Sequence, residues 1–220
     1  MLYEESLWFK KIIQKYGQEG KLVLNIGSST KEFIENEQPY IKTNLLDQLT
    51  SKNCVVKNID LKQADGVDLV GDVTNPAFIA ELKQLNASMI ICSNLLEHLT
   101  IRKEFCEALV KIMNKDTLLI ISVPYSFPYH EDPIDTMFRP NLAELKNEFN
   151  GLKMLEGEIV NCGGFYEFNN KKTPKLIKII NFIKILLAAG ISYLTNKEKF
   201  KRLEWNFKTI SATCAIYQLD

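Results

Sequence analysis

Two apolar runs in the first third of the chain each stop on a residue that packing alone does not require. Lys21-Leu-Val-Leu-Asn-Ile26 gives way to Gly27-Ser28-Ser29-Thr30, and Cys54-Val-Val-Lys-Asn-Ile59 is followed at once by Asp60. Short apolar runs bounded by turn residues predict buried strands, and a glycine lets the backbone turn sharply and approach a ligand closely. In an open parallel sheet both stops fall at the carboxyl edge of the strands, where ligands bind. The pair therefore predicts a glycine turn beside a carboxylate able to accept two ribose hydroxyl hydrogen bonds. The G-x-G-x-x-G fingerprint is absent, which disfavours a pyrophosphate cofactor such as NAD and favours a ligand with ribose but no phosphate. The plain alternative is that Gly27 ends a strand, Asp60 caps a turn, and nothing binds.

The remaining patterning continues the same theme. Leu2, Trp8, Phe9, Ile12, Ile13 and Tyr16 recur at helical spacing and predict an amphipathic helix to about residue 16. Residues 31–53 carry short helical pieces broken by Pro39, which makes the connection from Gly27 to Asp60 longer than the ~20 residues usual in a nucleotide-binding βαβ unit. Val67-Asp-Leu-Val-Gly71-Asp72 is a short strand ending on a second acidic turn. Asn75-Pro76 starts a helix, with Asn75 as N-cap and Pro76 in the first turn. Ser88–Ser93 and Thr117–Val123 are further strands, the second ended by Pro124, and helices are expected near 101–114 and 141–148. Leu152–Val160 and Thr209–Tyr217 complete the strands. Strands alternating with helices predict one doubly wound α/β domain over residues 1–220.

Composition removes several classes of function. The 27 basic and 27 acidic residues balance, and the N-terminus lacks a basic stretch leading into an apolar one, so a cytoplasmic protein is the expectation. Five cysteines without a C-x-x-C pair read as reduced core thiols, with no metal or thiol chemistry expected. The balance conceals an asymmetry, since residues 171–202 hold nine basic residues against Glu198 alone.

In this order the motifs resemble the class I S-adenosylmethionine-dependent methyltransferases, over most of the chain. Val23-Leu24-Asn25-Ile26-Gly27 looks like the family's first motif, Asp60 like its ribose-binding acid, and Gly71-Asp72 like its adenine-side turn. Ser93-Asn-Leu-Leu-Glu-His-Leu99 looks like the fourth-strand motif of the small-molecule branch, and Ser122-Val123-Pro124 like the segment after the fifth strand. The resemblance implies a Rossmann-like, mostly parallel seven-stranded sheet with an antiparallel last strand and helices on both faces. It implies S-adenosylmethionine as cofactor, with Gly27 and Ser28 along its amino-acid half and Asn25, Ser29 and Asn94 beside them. Asp60 and Leu61 would hold the ribose, Asp72 and Val73 would meet the adenine, and Ser93 would close the site. Asn25 stands where the family usually has an acid, and Ser28, Ser29 and Thr30 stand where it has more glycine. A non-catalytic cofactor-fold protein, serving as a partner subunit, is the alternative. The stretch 128–140, Pro-Tyr-His-Glu-Asp-Pro-Ile-Asp-Thr-Met-Phe-Arg-Pro, is similar to a subgroup acting in bacterial glycan and natural-product pathways.

Methyl transfer from a sulfonium is an in-line displacement that a protein accelerates by alignment and exclusion of water, and a hydroxyl acceptor also needs a base. His98 and His130, the chain's two histidines, both fall in loops at the predicted crevice. His130 is the favoured base, with Asp132 and Asp135 near enough in sequence to orient it and Tyr125 and Tyr129 as walls of an acceptor pocket, Asp132 also being counted as an acceptor contact. The competing reading is a proline-bounded loop carrying a surface histidine. The expected acceptor is a small molecule, a sugar or a lipid-linked precursor, methylated at oxygen.

The basic segment, about 171–206, reads as a helical insert. Leu176–Leu194 is largely apolar but interrupted by Lys178, Asn181 and Lys184, so it is expected to fall short of a membrane-crossing helix. On a helical wheel these residues, with Lys175, Ala188 and Ser192, oppose Ile179, Ile183, Leu186, Leu187 and Leu194, although Ile177, Phe182 and Ile185 interrupt the polar face. A lid over the site is the favoured use, with a dimer contact or a peripheral contact at the inner membrane surface as alternatives. Nucleic acid is not expected, since the basic residues lack interleaved aromatics.

Overall fold

The computed structural model describes residues 1–130, 134–171 and 173–220. The strands β1 (Leu22–Ile26), β2 (Val55–Asp60), β3 (Leu69–Val70), β4 (Met89–Ser93), β5 (Leu118–Ser126), β6 (Leu152–Gly164) and β7 (Thr209–Leu219) form a seven-stranded sheet in the order β3-β2-β1-β4-β5-β7-β6. Pairing is parallel from β3 to β5, and β7 runs antiparallel to both β5 and β6. The sheet expected from the sequence is the one that forms. Around it lie α1 (Tyr3–Tyr16), α2 (Pro39–Ile41), α3 (Asp47–Ser51), α4 (Pro76–Gln84), α5 (Arg102–Ile112), α6 (Leu142–Glu148), α7 (Phe165–Asn169), α8 (Lys175–Thr195) and α9 (Lys197–Glu204).

Strand alternation divides the core in two. Leu24, Ile90, Cys92, Leu119 and Ile121 face one layer, where they meet Leu82, Phe105, Leu109, Ile112, Leu145 and Phe149 from α4, α5 and the end of α6. Val23, Met89, Ile91, Leu118 and Ile120 face the other, against Trp8, Phe9, Ile12 and Ile13 of α1 and Leu45 and Leu49 of the β1–β2 connection. Full burial of each such side chain is worth about 1.5–3 kcal/mol, and a strand apolar on both faces can sit only in the middle of such a sandwich. That requirement explains why β1, β4 and β5 are central. The four most apolar cysteine sites, Cys92, Cys106, Cys162 and Cys214, are buried free thiols.

Helix starts follow the sequence signals. Asn75 Oδ1 accepts the N–H groups of Ala77 (2.9 Å) and Phe78 (3.3 Å), and Asn141 Oδ1 does the same for Ala143 and Glu144, with Glu144 reaching back to the Asn141 N–H at 2.8 Å. Pro124 corrects an expectation, because β5 does not end there but runs to Ser126 with a bulge. Pairing of β5 with β4 stops at Ser122, so Pro124, two residues on and on the same side of the strand, has no ladder bond to β4 to give up.

Between β6 and β7 the chain forms α7 and then the basic segment, which carries α8 and α9. A second correction concerns α8, which spans 21 residues, about 31 Å at the helical rise, and is by length and composition apolar enough to cross a membrane. The three polar interruptions all lie in its first half, and the second half carries no charged residue.

Candidate functional site

A cavity of about 490 Å³ opens at the carboxyl edge of β1 and β4, a size that takes small molecules. Its walls include Asn25, Gly27, Ser28, Ser29, Ser93 and Asn94, six of the residues expected to meet a cofactor, together with both histidines. Gly27 turns the chain at φ +73°, and a Cβ there would come within 2.8 Å of Leu95 Cδ2, so the position admits only glycine without rearrangement. Ser29 and Asn94 also lie in the left-handed region, at φ +63° and +49°. Strained backbone at the ends of two adjacent strands persists only where surrounding contacts over-determine it.

One such contact set comes from α1. Glu5, fully buried, accepts Asn94 Nδ2 (2.7 Å) and Ser122 Oγ (2.5 Å) on Oε1 and the Leu2 N–H (2.8 Å) on Oε2. The carboxylate thereby ties the start of α1 to the ends of β4 and β5, and brings Met1 and Leu2 into the cavity wall. Asn25 Nδ2 donates to Asn58 Oδ1 at 2.9 Å, linking β1 to β2.

Asp60 and Asp72 sit on the same rim but outside the cavity lining. The Gly27 and Ser28 N–H groups both point to the Ile59 carbonyl (2.9 and 3.3 Å), and the Gly71 N–H to the Asp60 carbonyl (3.1 Å), so Gly27, Asp60 and Gly71 are lateral neighbours along the edge. Asp60 Oδ1 accepts the Lys62 N–H at 3.1 Å. Asp72 Oδ1 accepts the hydroxyl and the N–H of Thr74 (2.7 and 2.8 Å), and these two bonds hold its carboxyl below the usual aspartate value. Leu61 is 67% exposed beside them, an open shelf, whereas Val73 is buried in the core and packs instead of facing a ligand.

The titratable groups converge on the other side of the cavity. His98 ends a 3-10 turn (Leu96–His98) and its Nδ1 lies 2.5 Å from the Ile134 carbonyl, which assigns the proton to Nδ1 and leaves Nε2 free. The His130 ring stands edge-on to it, with centroids 5.2 Å apart. Asp135 supports His130 with its backbone and its charge. Asp135 Oδ2 accepts the His130 N–H at 3.1 Å and lies 3.2 Å from Nδ1, an electrostatic contact without hydrogen-bond alignment. Both Asp135 oxygens are held by Arg139, at 2.6 and 3.1 Å, and Arg139 also donates to the Phe127 and Pro128 carbonyls. Burial pushes the Asp135 carboxyl up, but the bonds from Arg139 and from the His130 and Met137 N–H groups outweigh it, so the group stays ionised. With that charge already matched, burial dominates at His130 and lowers its pKa below 6.5, which makes it a neutral imidazole at pH 7.

Glu97, adjacent to His98, is fully buried, and neither of its carboxyl oxygens has a hydrogen-bond partner among the described residues. Burial pushes its pKa up to about 8. Glu97, His98 and His130 each bring a ligand-type atom within 4.8 Å of the others, with Glu97 Oε1 3.7 Å from His98 Nε2. Ligands about 2.1 Å from a divalent ion lie roughly 3–3.5 Å apart, so the cluster is wider than a formed cation site, and a protonated carboxyl beside two imidazoles is suited to moving protons.

The expected acceptor walls are corrected. Tyr125 and Tyr129 are exposed and line no part of the cavity; alternation along β5 turns Pro124 inward and Tyr125 out. Asp132 lies outside the described residues. The roof is Phe127 with Phe168 of α7, centroids 5.8 Å apart, and the side wall is Phe33, Gln38, Ile41 and Leu45. None of these was singled out from sequence, although the unusual length of the 27–60 connection was the available signal. Phe168 of α7 precedes the basic segment, and no described residue of 171–206 lines the cavity.

No protein-family model matches the chain, and no curated protein sequence is similar enough to count as a relative. Solved structures are similar in fold. A coclaurine N-methyltransferase bound to N-methylheliamine and S-adenosylhomocysteine shares 14% identity at a TM-score of 0.55, covering 98% of this chain and 71% of that one. The MccD protein shares 12% at 0.55, covering 97% and 96%. The [4+2]-cyclase SpnF shares 8% at 0.54, covering 96% and 80%. Strand order, the antiparallel seventh strand and these likenesses agree: the chain has the class I S-adenosylmethionine-dependent methyltransferase fold.

Proposed function

We propose that the protein transfers a methyl group from S-adenosylmethionine to an oxygen of a small-molecule or glycan acceptor, and that His130 takes the acceptor's proton. The observation that carries this reading is the meeting, in one cavity, of a left-handed glycine turn and a neutral, carboxylate-supported imidazole. The residues present fit the cofactor. Gln38 Oε1 is buried, lines the cavity and has no hydrogen-bond partner among the described residues, which makes it an acceptor for an ammonium group. Asn25, Ser28, Ser29 and Asn94 add polar contacts nearby, and Asp60 and Asp72 are available on the adjoining rim for ribose and adenine.

The cofactor supplies a methyl carbon made electrophilic by the attached sulfonium. His130, unprotonated at neutral pH, would accept the acceptor hydroxyl's proton at Nε2 as the oxygen took up the methyl group, with the sulfur as leaving group. Asp135 and Arg139 keep the ring in place, and Asp135 stabilises the imidazolium until it releases the proton to water. Phe127 and Phe168 exclude water from the reacting centre.

A second reading, a non-catalytic cofactor-fold protein, draws on Ser28, Ser29 and Thr30 in the first turn and on the presence of a [4+2]-cyclase among proteins of this fold. Calorimetric titration with S-adenosylmethionine and S-adenosylhomocysteine separates the two. Heat from both, followed by label transfer from methyl-labelled donor into an extracted acceptor, supports the enzyme; no heat from either overturns the cofactor assignment.

A further inference from the structure

α8 is packed inside out. Its inner stripe is Lys178, Asn181, Phe182, Ile185, Ala189 and Ser192, partly or fully buried at helical spacing. Lys178 Nζ is bound to Glu167 Oε2 at 3.0 Å, the Tyr166 hydroxyl donates to the Lys178 carbonyl, and Phe182 meets Tyr166 and Phe207 with centroids 5.1 and 5.7 Å away. The opposite face, with Ile179, Ile183, Leu186, Leu187 and Leu194, is exposed, Leu194 to 83%. An amphipathic helix on a protein core normally hides its isoleucines and leucines and shows its lysines. Here Lys178, Asn181, Ala189 and Ser192 are turned inward beside Phe182 and Ile185, while Ile179, Ile183, Leu186, Leu187 and Leu194 are turned outward, so the covering layer for that face is outside the fold.

We infer that α8 and α9 dock this face onto an anionic lipid bilayer, with the apolar residues among the acyl chains and the basic residues at the headgroups. Charge complementarity selects this occupant. Lys175, Lys184, Lys197, Lys199, Lys201 and Arg202 are exposed on the two helices, against Glu198 as the acid on α9's outer side. Basic side chains beside an inserted apolar face add attraction to anionic lipid. A second copy of the chain would bring the same basic helix and meet it with like charge. Topology selects the mode of insertion. β6 and β7 are paired neighbours, with Gly164 opposite Thr209, so the chain leaves and re-enters the sheet at one point. A single crossing by α8 would strand α9 and β7 on the far side, and the helix therefore lies in the interface instead of spanning.

The test is co-sedimentation of the full chain with vesicles of phosphatidylcholine alone or mixed with phosphatidylglycerol, alongside the double variant Ile183→Asn/Leu187→Asn and the quadruple variant Lys197→Gln/Lys199→Gln/Lys201→Gln/Arg202→Gln. All six positions are exposed or at the surface, so circular dichroism should match the parent. The expected result is binding to the mixed vesicles, weaker by tenfold or more on pure phosphatidylcholine, with each variant losing roughly tenfold or more on mixed vesicles. Binding that ignores the apolar variant, or equal partitioning to both vesicles, overturns the inference. So does a dimer that dissolves in the apolar variant while vesicle binding is absent, which would make a second copy the covering layer. Cofactor titration of the same samples reads the site independently, so failure of docking and failure of the methyltransferase reading are distinguishable.

Discussion

Replacing Glu97 by glutamine tests the electrostatics of the cavity most directly. Burial keeps this carboxyl protonated up to about pH 8, against an ordinary 4.5. Between those values the folded chain holds the proton and the unfolded chain has lost it, so unfolding releases a proton and stability falls as pH rises from about 4.5 to about 8. At about 1.4 kcal/mol per pH unit the interval sets a ceiling on the order of 5 kcal/mol. Glu97 borders an open cavity, so the ceiling is discounted to about 2–3 kcal/mol, which for a domain of this length is roughly 5–10 °C in melting temperature. Glutamine cannot ionise. Glu97→Gln should therefore melt about 5–10 °C above the parent near pH 8.5 and within about 2 °C of it near pH 4.5. The assay is a set of thermal melts by circular dichroism across that range, with and without EDTA. A separation that stays constant with pH would show Glu97 already ionised in the fold, as a cation shared with His98 and His130 would make it, and would refute the neutral-acid assignment.

Three further outcomes follow from the geometry. His130→Ala should lower kcat by about 10²–10⁴-fold and abolish the acid limb of the rate profile, which in the parent rises through a value below 6.5 because burial depresses that imidazole; an unchanged profile removes His130 from the chemistry. Gly27→Ala should cost about 1–2 kcal/mol for its positive φ and more for the 2.8 Å approach to Leu95, with added Leu95→Ala relieving only the clash, as read by melting and cofactor calorimetry. Glu5→Gln puts an amide where two acceptor oxygens take three donors, and should destabilise by about 2–4 kcal/mol while weakening cofactor affinity through the released Asn94; unaltered binding would detach α1 from the site.

The sheet was legible because its central strands are apolar on both faces and end on Gly27, Asp60 and Ser93, features that local patterning displays. Contacts between distant segments were not. Asp135 and Arg139 are four residues apart, a spacing that reads as a helical pair, yet here they clamp an irregular loop by reaching back to the Phe127 and Pro128 carbonyls. The long 27–60 connection counted as a departure from a nucleotide-binding unit, and it is the segment that supplies Phe33, Gln38, Ile41 and Leu45 to the cavity wall. For α8 the wheel set Lys178, Asn181 and Ser192 opposite Ile179, Ile183, Leu186, Leu187 and Leu194, as the structure does, but it put the exposed Lys175 and Lys184 with the former, and no wheel states which face the protein keeps. That depended on Tyr166, Glu167 and Phe207, which lie outside the helix and hold its inner stripe through Lys178 and Phe182.

The pairing of Gly164 with Thr209 has a practical corollary. Everything between them hangs from adjacent rungs of one hairpin, so a tight two-residue turn of the Asn-Gly kind could join the two strands there without altering their register. Such an abbreviated chain would keep the sheet, Gly27 and both histidines, and lose only Phe168 from the chamber ceiling. It would also shed the greasiest surface of the molecule, yielding a version suited to crystallisation and to asking how much of acceptor choice resides in the excised excursion.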